Sequence, residues 1–292
     1  MHLLIANPVS GSQAAPRVAW RVRELLEAAG RKTELELTTG PGDALARARR
    51  AVERGAQMVV VCGGDGTLQE VATALEGSQV PLGLLPRGRC NDFAHALGLH
   101  RSDPPERLAQ ILLAGKTRQV DLGAFGDRRF LTVATLGFDS DASRYVETRR
   151  LWLKGTPAYL YAVLRVLITF QFPRVRLRGD FGLFEGRILL AATGNCPTYG
   201  GAMRITPDAR PDDALFHVTV VEAVPRLTVL RMLPRVMKGD HLSHPAVRSL
   251  TTRQLDMETP DGPLWICADG ESIGQTPGRF EIHPRALRVL AP

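Results

Sequence analysis

Val59-Val60-Val61-Cys62-Gly63-Gly64-Asp65-Gly66-Thr67 is an apolar run that ends abruptly in three glycines, an Asp and a Thr. The run reads as a buried strand. Leu68 to Leu75 then has helical spacing, so the glycines precede a helix N-terminus, where free backbone N–H groups favour a phosphate. Gly63, Gly64 and Gly66 would equally serve a plain tight turn. Asp65 decides between the two. A carboxylate set between glycines has no packing role, and here it is placed to orient a metal-bound water or a sugar hydroxyl rather than to touch phosphate.

Working outward on the N-terminal side, Leu3 to Ala6 reads as a strand that stops at the polar Asn7-Pro8 turn with Ser10 and Gly11. A helix follows from Pro16 to about Ala29, with Gly30 as its stop. Thr33 to Leu37 alternates as a strand, and Asp43 caps a helix that runs to Arg54. On the C-terminal side, Leu82 to Leu85 is a fourth strand and Pro86 to Cys90 a second loop. Asn91 to Leu97 is then a helix closed by Gly98. Four strand and helix alternations argue for a parallel sheet with helices on both faces, whose ligands bind beyond the carboxyl ends of the strands. Gly115-Lys116-Thr117 is a decoy: Gln110 stands where a Walker loop needs its first glycine.

After Val120-Asp121-Leu122-Gly123 the texture changes. Strands are expected at Phe130–Thr135, Arg174–Arg178, Arg187–Thr193, Leu215–Val221, Leu255–Thr259, Leu264–Ala268, Arg279–His283 and Leu287–Leu290, with helical inserts at Thr156–Thr169 and Arg226–Met237. Such a series predicts an antiparallel sandwich. The expected architecture is therefore α/β plus all-β: a Rossmann-like domain over 1–121 and a β-sandwich domain over 122–292, with the C-terminal residues open to packing back on the first.

The chain has 292 residues, 44% of them hydrophobic and 23% charged, which is enough apolar content for packed cores and argues against disorder. Neither a signal peptide nor a membrane span is visible, and Cys62, Cys90, Cys196 and Cys267 lack disulfide or zinc spacing, so a reducing cytoplasm is expected. A net charge of +7 favours an anionic partner. With only 6% aromatic residues and no recognisable binding module, nucleic acid is excluded as that partner.

Several segments together resemble the diacylglycerol-kinase-type catalytic family, and within it the bacterial lipid kinases related to phosphatidylglycerol and diacylglycerol kinases. They are Asn7-Pro8 with Ser10-Gly11, the Gly63 to Val71 stretch, Leu85-Pro86 with Gly88 and Asn91-Asp92-Phe93-Ala94, and Ala268-Asp269-Gly270-Glu271, all in family order. NAD kinases share the Gly-Gly-Asp-Gly loop but not the later segments. The resemblance implies ATP-dependent phosphorylation of a lipid hydroxyl, with the nucleotide between the two domains. It also implies that Thr38 and Gly64, Asp65, Gly66, Thr67, Leu68, Gln69 and Glu70 contact nucleotide, and that Glu271 is the proton acceptor. By the same resemblance, Mg2+ would fall to the backbone carbonyls of Arg210 and Leu215 and the carboxylate of Asp213.

Bottom-up chemistry agrees with these roles: phosphoryl transfer needs held phosphates, Mg2+ and a carboxylate for the hydroxyl proton. Asp65, Asp92, Asp121, Asp213, Asp269 and Glu271 supply the carboxylates, with Asp269 able to relay the proton through water. Plain structural readings stand beside them. Asp92 also suits a helix cap, Asp212-Asp213 a turn, and Asp269-Gly270-Glu271 a hairpin turn.

Helix Pro157–Phe172, apolar almost all round, is expected as a core helix, with an acyl-chain cleft as its second reading. Arg144, Arg149, Arg150, Lys154 and Arg165 could then face lipid head groups at an anionic membrane surface, bound peripherally. A homodimer stays open. Two other functions compete with the lipid kinase: a soluble-metabolite kinase of the NAD kinase type, and a non-catalytic nucleotide or lipid sensor. One departure from the family is Arg89, in Gly88-Arg89-Cys90-Asn91-Asp92, where relatives carry a phosphate-contacting Thr. Its guanidinium either pairs with phosphate or swings to solvent, and both outcomes are expected to leave the loop's backbone N–H groups available.

Overall fold

Six consecutive buried residues form the strand β3 (Met58–Gly63), which lies between two parallel neighbours. Burying side chains such as Val59, Val60 and Val61 stabilises by about 1.5–3 kcal/mol each, and a strand covered on both faces needs this unbroken apolar run. The computed structural model describes residues 1–11, 14–148, 156–201 and 203–292. The chain divides into two units: Met1–Leu122 with Pro211–Asp213 and His283–Pro292, and Gly123–Arg210 with Ala214–Ile282.

In the first unit β1 (His2–Ala6), β2 (Thr33–Leu37), β3 and β4 (Leu82–Pro86) are parallel in the order β4-β3-β1-β2. The helices are α1 (Ala14–Ala28), α2 (Asp43–Glu53), α3 (Asp65–Leu75), α4 (Asp92–Ala96) and α5 (Pro105–Ala114). Three expectations change here. Helix α3 begins at Asp65 rather than Leu68, so Gly64 is its N-cap and Asp65, Gly66 and Thr67 form its first turn. Asp43 does not cap α2; Gly42 holds that position, and the Asp43 carboxylate accepts the Thr39 N–H instead. Helix α5 was not expected at all. Its buried face, Leu108, Ala109 and Leu112, packs down on Gly83, where a Cβ would meet the Leu112 side chain at 2.5 Å.

The second unit is antiparallel. One layer runs β14 (Glu271–Gln275), β13 (Trp265–Ala268), β7 (Val133–Gly137), β9 (Gly182–Gly194), β10 (Phe216–Glu222) and β11 (Val247–Thr252). The long β9 belongs to both layers: residues 182–187 pair with β8 (Arg174–Gly179), and β12 (Gln254–Glu258) and the start of β15 (Gly278–Leu290) extend that second layer. A strand that changes sheets in this way turns the corner of a sandwich. Phe130, Phe216 and Phe280 fill the space between the layers. On the outer face of the first layer a second cluster seats α6 (Phe138–Thr148), α7 (Thr156–Thr169) and α8 (Arg226–Lys238) through Phe138, Val163, Val166, Val229 and Met232.

Strands β5 (Thr117–Phe125), β11 and β14 and helix α6 were not expected. The expected strand Phe130–Thr135 is two, β6 (Arg128–Phe130) and β7, broken at Leu131-Thr132. Conversely, the two expected strands Arg279–His283 and Leu287–Leu290 are one, β15, in which Arg285 takes φ 51° and its N–H donates to Asp121 Oδ1 at 2.7 Å. Helix α7 is not buried all round. Val163, Val166 and Leu167 face the core, whereas Tyr161, Leu164 and Ile168 are exposed, Ile168 by 64%. Arg149, Arg150 and Lys154 and the side chains of residues 156–160 lie outside the described residues.

Candidate active site

The carboxyl ends of β3 and β4 carry two short loops that touch through glycine. Gly64 and Gly88 approach so closely that a Cβ on Gly88 would meet the Gly64 Cα at 2.4 Å. Asn91, at φ 56°, closes the second loop: its Oδ1 accepts the Gly88 N–H at 2.8 Å and its Nδ2 donates to the Gly88 carbonyl at 3.1 Å. Asp65 ties this loop to α3, its Oδ2 accepting the Asn91 N–H at 2.9 Å. The amides of Gly88 and Asn91 are therefore engaged within the protein, a correction to the expectation that the loop's N–H groups stay available. Burial pushes the Asp65 carboxyl above its usual range, against the Asn91 amide, and its Oδ1 is buried with no hydrogen-bond partner. A buried carboxylate oxygen left unmatched costs about 1–3 kcal/mol, a cost that a bound water, ion or ligand would offset.

Around this core the predicted residues take distinct places. Thr67 Oγ1 accepts Asn7 Nδ2 at 3.0 Å, tying the β1 turn to α3. Thr38 is buried, its N–H donating to Ala6. Glu70 turns to α2, its two oxygens accepting the Gly42 and Leu45 N–H groups at 2.8 and 3.3 Å, a carboxylate at a helix N-terminus. Leu68 is packed in the core and Gln69 reaches Thr73. Asp92 is buried at the start of α4, and Arg89 is exposed at the loop tip. Sequence reasoning missed Arg87. Its buried guanidinium donates to the carbonyls of Pro86, Arg101 and Asp103, a strut behind the second loop with no local signature. Burial pushes the Cys62 thiol up to about 12 and the Cys90 thiol up to about 11, so neither is a thiolate nucleophile at neutral pH.

In the second unit Asp269 and Glu271 sit together at the β13–β14 turn, with Asp269 at φ 49°. The Asp269 carboxylate accepts the N–H groups of Leu131 and Thr132, at 2.7 and 3.0 Å, and the Thr132 hydroxyl. Those bonds break the strand between β6 and β7. They occupy both Asp269 oxygens, which makes Asp269 an anchor for the turn. Glu271 is exposed, with Arg128 Nη2 3.6 Å from its carboxylate. Among the described residues no three His, Cys, Asp or Glu side chains cluster to hold a metal. In the Arg210–Leu215 segment, Ala214 is held at φ 59° between Asp213 and Leu215. Pro211 and Asp212 are clipped to β5, by the Asp121 N–H to the Pro211 carbonyl at 2.6 Å and by Arg118 to Asp212.

Residues 1–125 match the family model described as the diacylglycerol kinase catalytic domain, and residues 132–291 match the YegS C-terminal NAD kinase beta sandwich-like domain. A protein named diacylglycerol kinase from Mycobacterium tuberculosis is 32% identical over 296 residues, covering 99% of this chain and 94% of its own length. The chain belongs to the diacylglycerol kinase family. Another family member, the diacylglycerol kinase of Bacillus subtilis, is 27% identical with 99% and 95% coverage. A crystal structure of a diacylglycerol kinase from Bacillus anthracis superimposes with a TM-score of 0.78 at 20% identity, covering 100% of this chain and 96% of that one, which places the fold. At the level of the diacylglycerol kinase family, the chain is a lipid kinase, and kinases of this family use ATP.

Proposed function

We propose that the chain transfers the γ-phosphoryl group of ATP, with Mg2+, to a free hydroxyl of diacylglycerol or a related glycerolipid at an anionic membrane surface. The observation that carries this reading is the pairing of an exposed carboxylate, Glu271, with a turn that Asp269 fixes through three hydrogen bonds. A base so held can meet a hydroxyl without reorganising. As the hydroxyl oxygen bonds to the γ-phosphorus and the bridging P–O bond to ADP breaks, Glu271 takes the hydroxyl proton. The close Gly64–Gly88 approach, which a Cβ on either residue would obstruct, brings the two loops together at the α3 N-terminus, which favours phosphate. Asp65 supports ligand orientation through its unmatched oxygen.

The Asp213 carboxylate with the carbonyls of Arg210 and Leu215 would hold Mg2+, hard oxygen donors of the kind it takes. Ala214 in a left-handed conformation costs about 1 kcal/mol or more, the sort of local strain that functional segments carry. Bound there, Mg2+ would supply charge stabilisation for phosphoryl transfer. For the membrane surface, support comes from the net charge of +7 and the exposed Tyr161, Leu164 and Ile168 of α7 with Arg165 among them. No helix among the described residues is long and apolar enough to cross a membrane.

Incubation with labelled ATP, Mg2+ and separate vesicles of diacylglycerol, phosphatidylglycerol, sphingosine and ceramide tests the reading, with NAD as a further acceptor. Label in a glycerolipid is the expected result. Label in NAD alone would make the chain a metabolite kinase, and ATP binding with no labelled acceptor would make it a sensor.

A further inference from the structure

Arg144, on α6, lies over Trp265, on β13, with its guanidinium carbon 4.1 Å from the indole centroid. A cation held over an aromatic face in this way is fixed in position. Yet Nη1 is buried without a hydrogen-bond partner, and no side-chain hydrogen bond or ion pair joins Arg144 to another described residue. Asp141, one turn earlier on α6, feels the Arg144 charge without bonding to it. A buried N–H of a charged group left unmatched costs about 1–3 kcal/mol or more. Stacking on Trp265 accounts for a cation here but not for the unmatched Nη1, and that N–H on a charged group points to a ligand with oxygens to offer.

The surroundings narrow that ligand. Tyr145, the next residue, has its ring 6.3 Å from the ring of Tyr161, and Tyr161 opens the exposed apolar stripe that continues through Leu164 and Ile168. A fixed cation beside an exposed apolar stripe suits an amphiphile with an anionic head. Trp265 is three residues from Ala268, which places Arg144 roughly 10 Å along the hairpin from the Asp269–Glu271 turn, at about 3.3 Å per residue.

We propose that Arg144, stacked on Trp265, binds the phosphodiester of a phospholipid, so that the second unit reads a lipid phosphate in addition to the hydroxyl that Glu271 serves. The choice of a lipid phosphodiester rests on the lipid-kinase reading above. The guanidinium fork matches two phosphate oxygens in one plane, which an ammonium does not.

The probe is dihexanoyl phosphatidylglycerol kept below its micelle concentration. It is titrated into a Trp20→Phe, Trp152→Phe chain, where Trp265 alone of the three tryptophans remains to report. A saturable change in Trp265 emission is expected. Arg144→Ala should raise the half-saturation tenfold or more and Arg144→Lys severalfold, with circular dichroism showing both variants folded; Arg144→Gln stands in if the alanine variant unfolds. Dihexanoylglycerol, which lacks phosphate, should give no saturable change. The inference is overturned if Arg144→Ala and Arg144→Gln titrate like the parent, if the neutral lipid responds equally, or if inorganic phosphate binds as tightly as the lipid. Loss of the lipid-kinase reading would look different: an intact phosphatidylglycerol titration with no lipid labelled by ATP.

Discussion

Asp269 and Thr132 are 137 residues apart in the chain, and the Thr132 N–H and hydroxyl both bond to the same Asp269 oxygen. The other oxygen takes Leu131. Asp269→Asn keeps the size but replaces one acceptor oxygen with an NH2 donor that faces N–H or O–H donors, so a folded-state loss of about 2 kcal/mol is expected. At about 2–4 °C per kcal/mol for a unit of this size, the melting temperature should drop by roughly 4–8 °C. Turnover should fall with it while the ATP Michaelis constant holds. A variant with unchanged melting and lost turnover would return Asp269 to the proton path itself.

Glu271 presents the opposite case, since its side chain is 62% exposed and its contact with Arg128 is a long surface pair. Glu271→Gln should leave stability within about 0.5 kcal/mol of the parent and lower kcat by on the order of a hundredfold or more. Steady-state kinetics on diacylglycerol vesicles decides. Near-parental kcat would remove Glu271 from the chemistry.

Asp65 predicts a pH signature. Its carboxyl is raised in the folded protein by burial, so between the unfolded and folded values the folded state binds more protons and stability from this group falls as pH rises. Above the folded value the carboxylate is ionised and the full burial cost is present. Asp65→Asn removes that titration, and its side-chain oxygen can still accept the Asn91 N–H. Melting temperatures of parent and variant, followed upward in pH from the ordinary carboxylate value of 3.8, should show the variant gaining relative to the parent as pH rises. Parallel pH dependences would mean that Asp65 is not ionised against its surroundings.

Membrane association should be electrostatic in onset. With Arg165 among the exposed apolar residues of α7 and a net charge of +7, sedimentation with phosphatidylglycerol vesicles should weaken as salt rises from about 0.05 to 0.5 M, where the Debye length shortens to a few ångströms. Leu164→Ser with Ile168→Ser should weaken the salt-resistant remainder. Equal sedimentation with neutral and anionic vesicles at low salt would contradict this.

The legible parts of the sequence were those written locally. The apolar run of β3 ending in Gly63-Gly64 and the alternating strand patterns report on near neighbours. What was hidden depends on partners far away in sequence. Leu131-Thr132 reads as strand until Asp269 claims its amides. Arg285 breaks the pattern of β15 because Asp121 holds its N–H. Glu70 reads as part of a phosphate loop, yet its carboxylate serves the start of α2. The outer side of α7 looks like core because nothing in its composition tells which apolar side chains meet the sheet.

Arg89 provides the sharpest test of the proposal that the first unit holds ATP. Asn91 uses the Gly88 amide and Asp65 uses the Asn91 amide, so those two donors of the second loop are turned inward and the exposed Arg89 stands at its tip. A threonine at 89 would offer one short donor from the loop itself. A guanidinium offers charge and a planar fork that can reach phosphate oxygens from farther out. If Arg89 supplies the phosphate contact, Arg89→Ala should raise the ATP Michaelis constant several-fold or more with melting unchanged, and Arg89→Thr should restore much of the loss. Unchanged use of ATP by Arg89→Ala would show that the side chain points to solvent. A large gain from Arg89→Thr would show that arginine attenuates this kinase, because the threonine donor then outperforms the charge that replaced it.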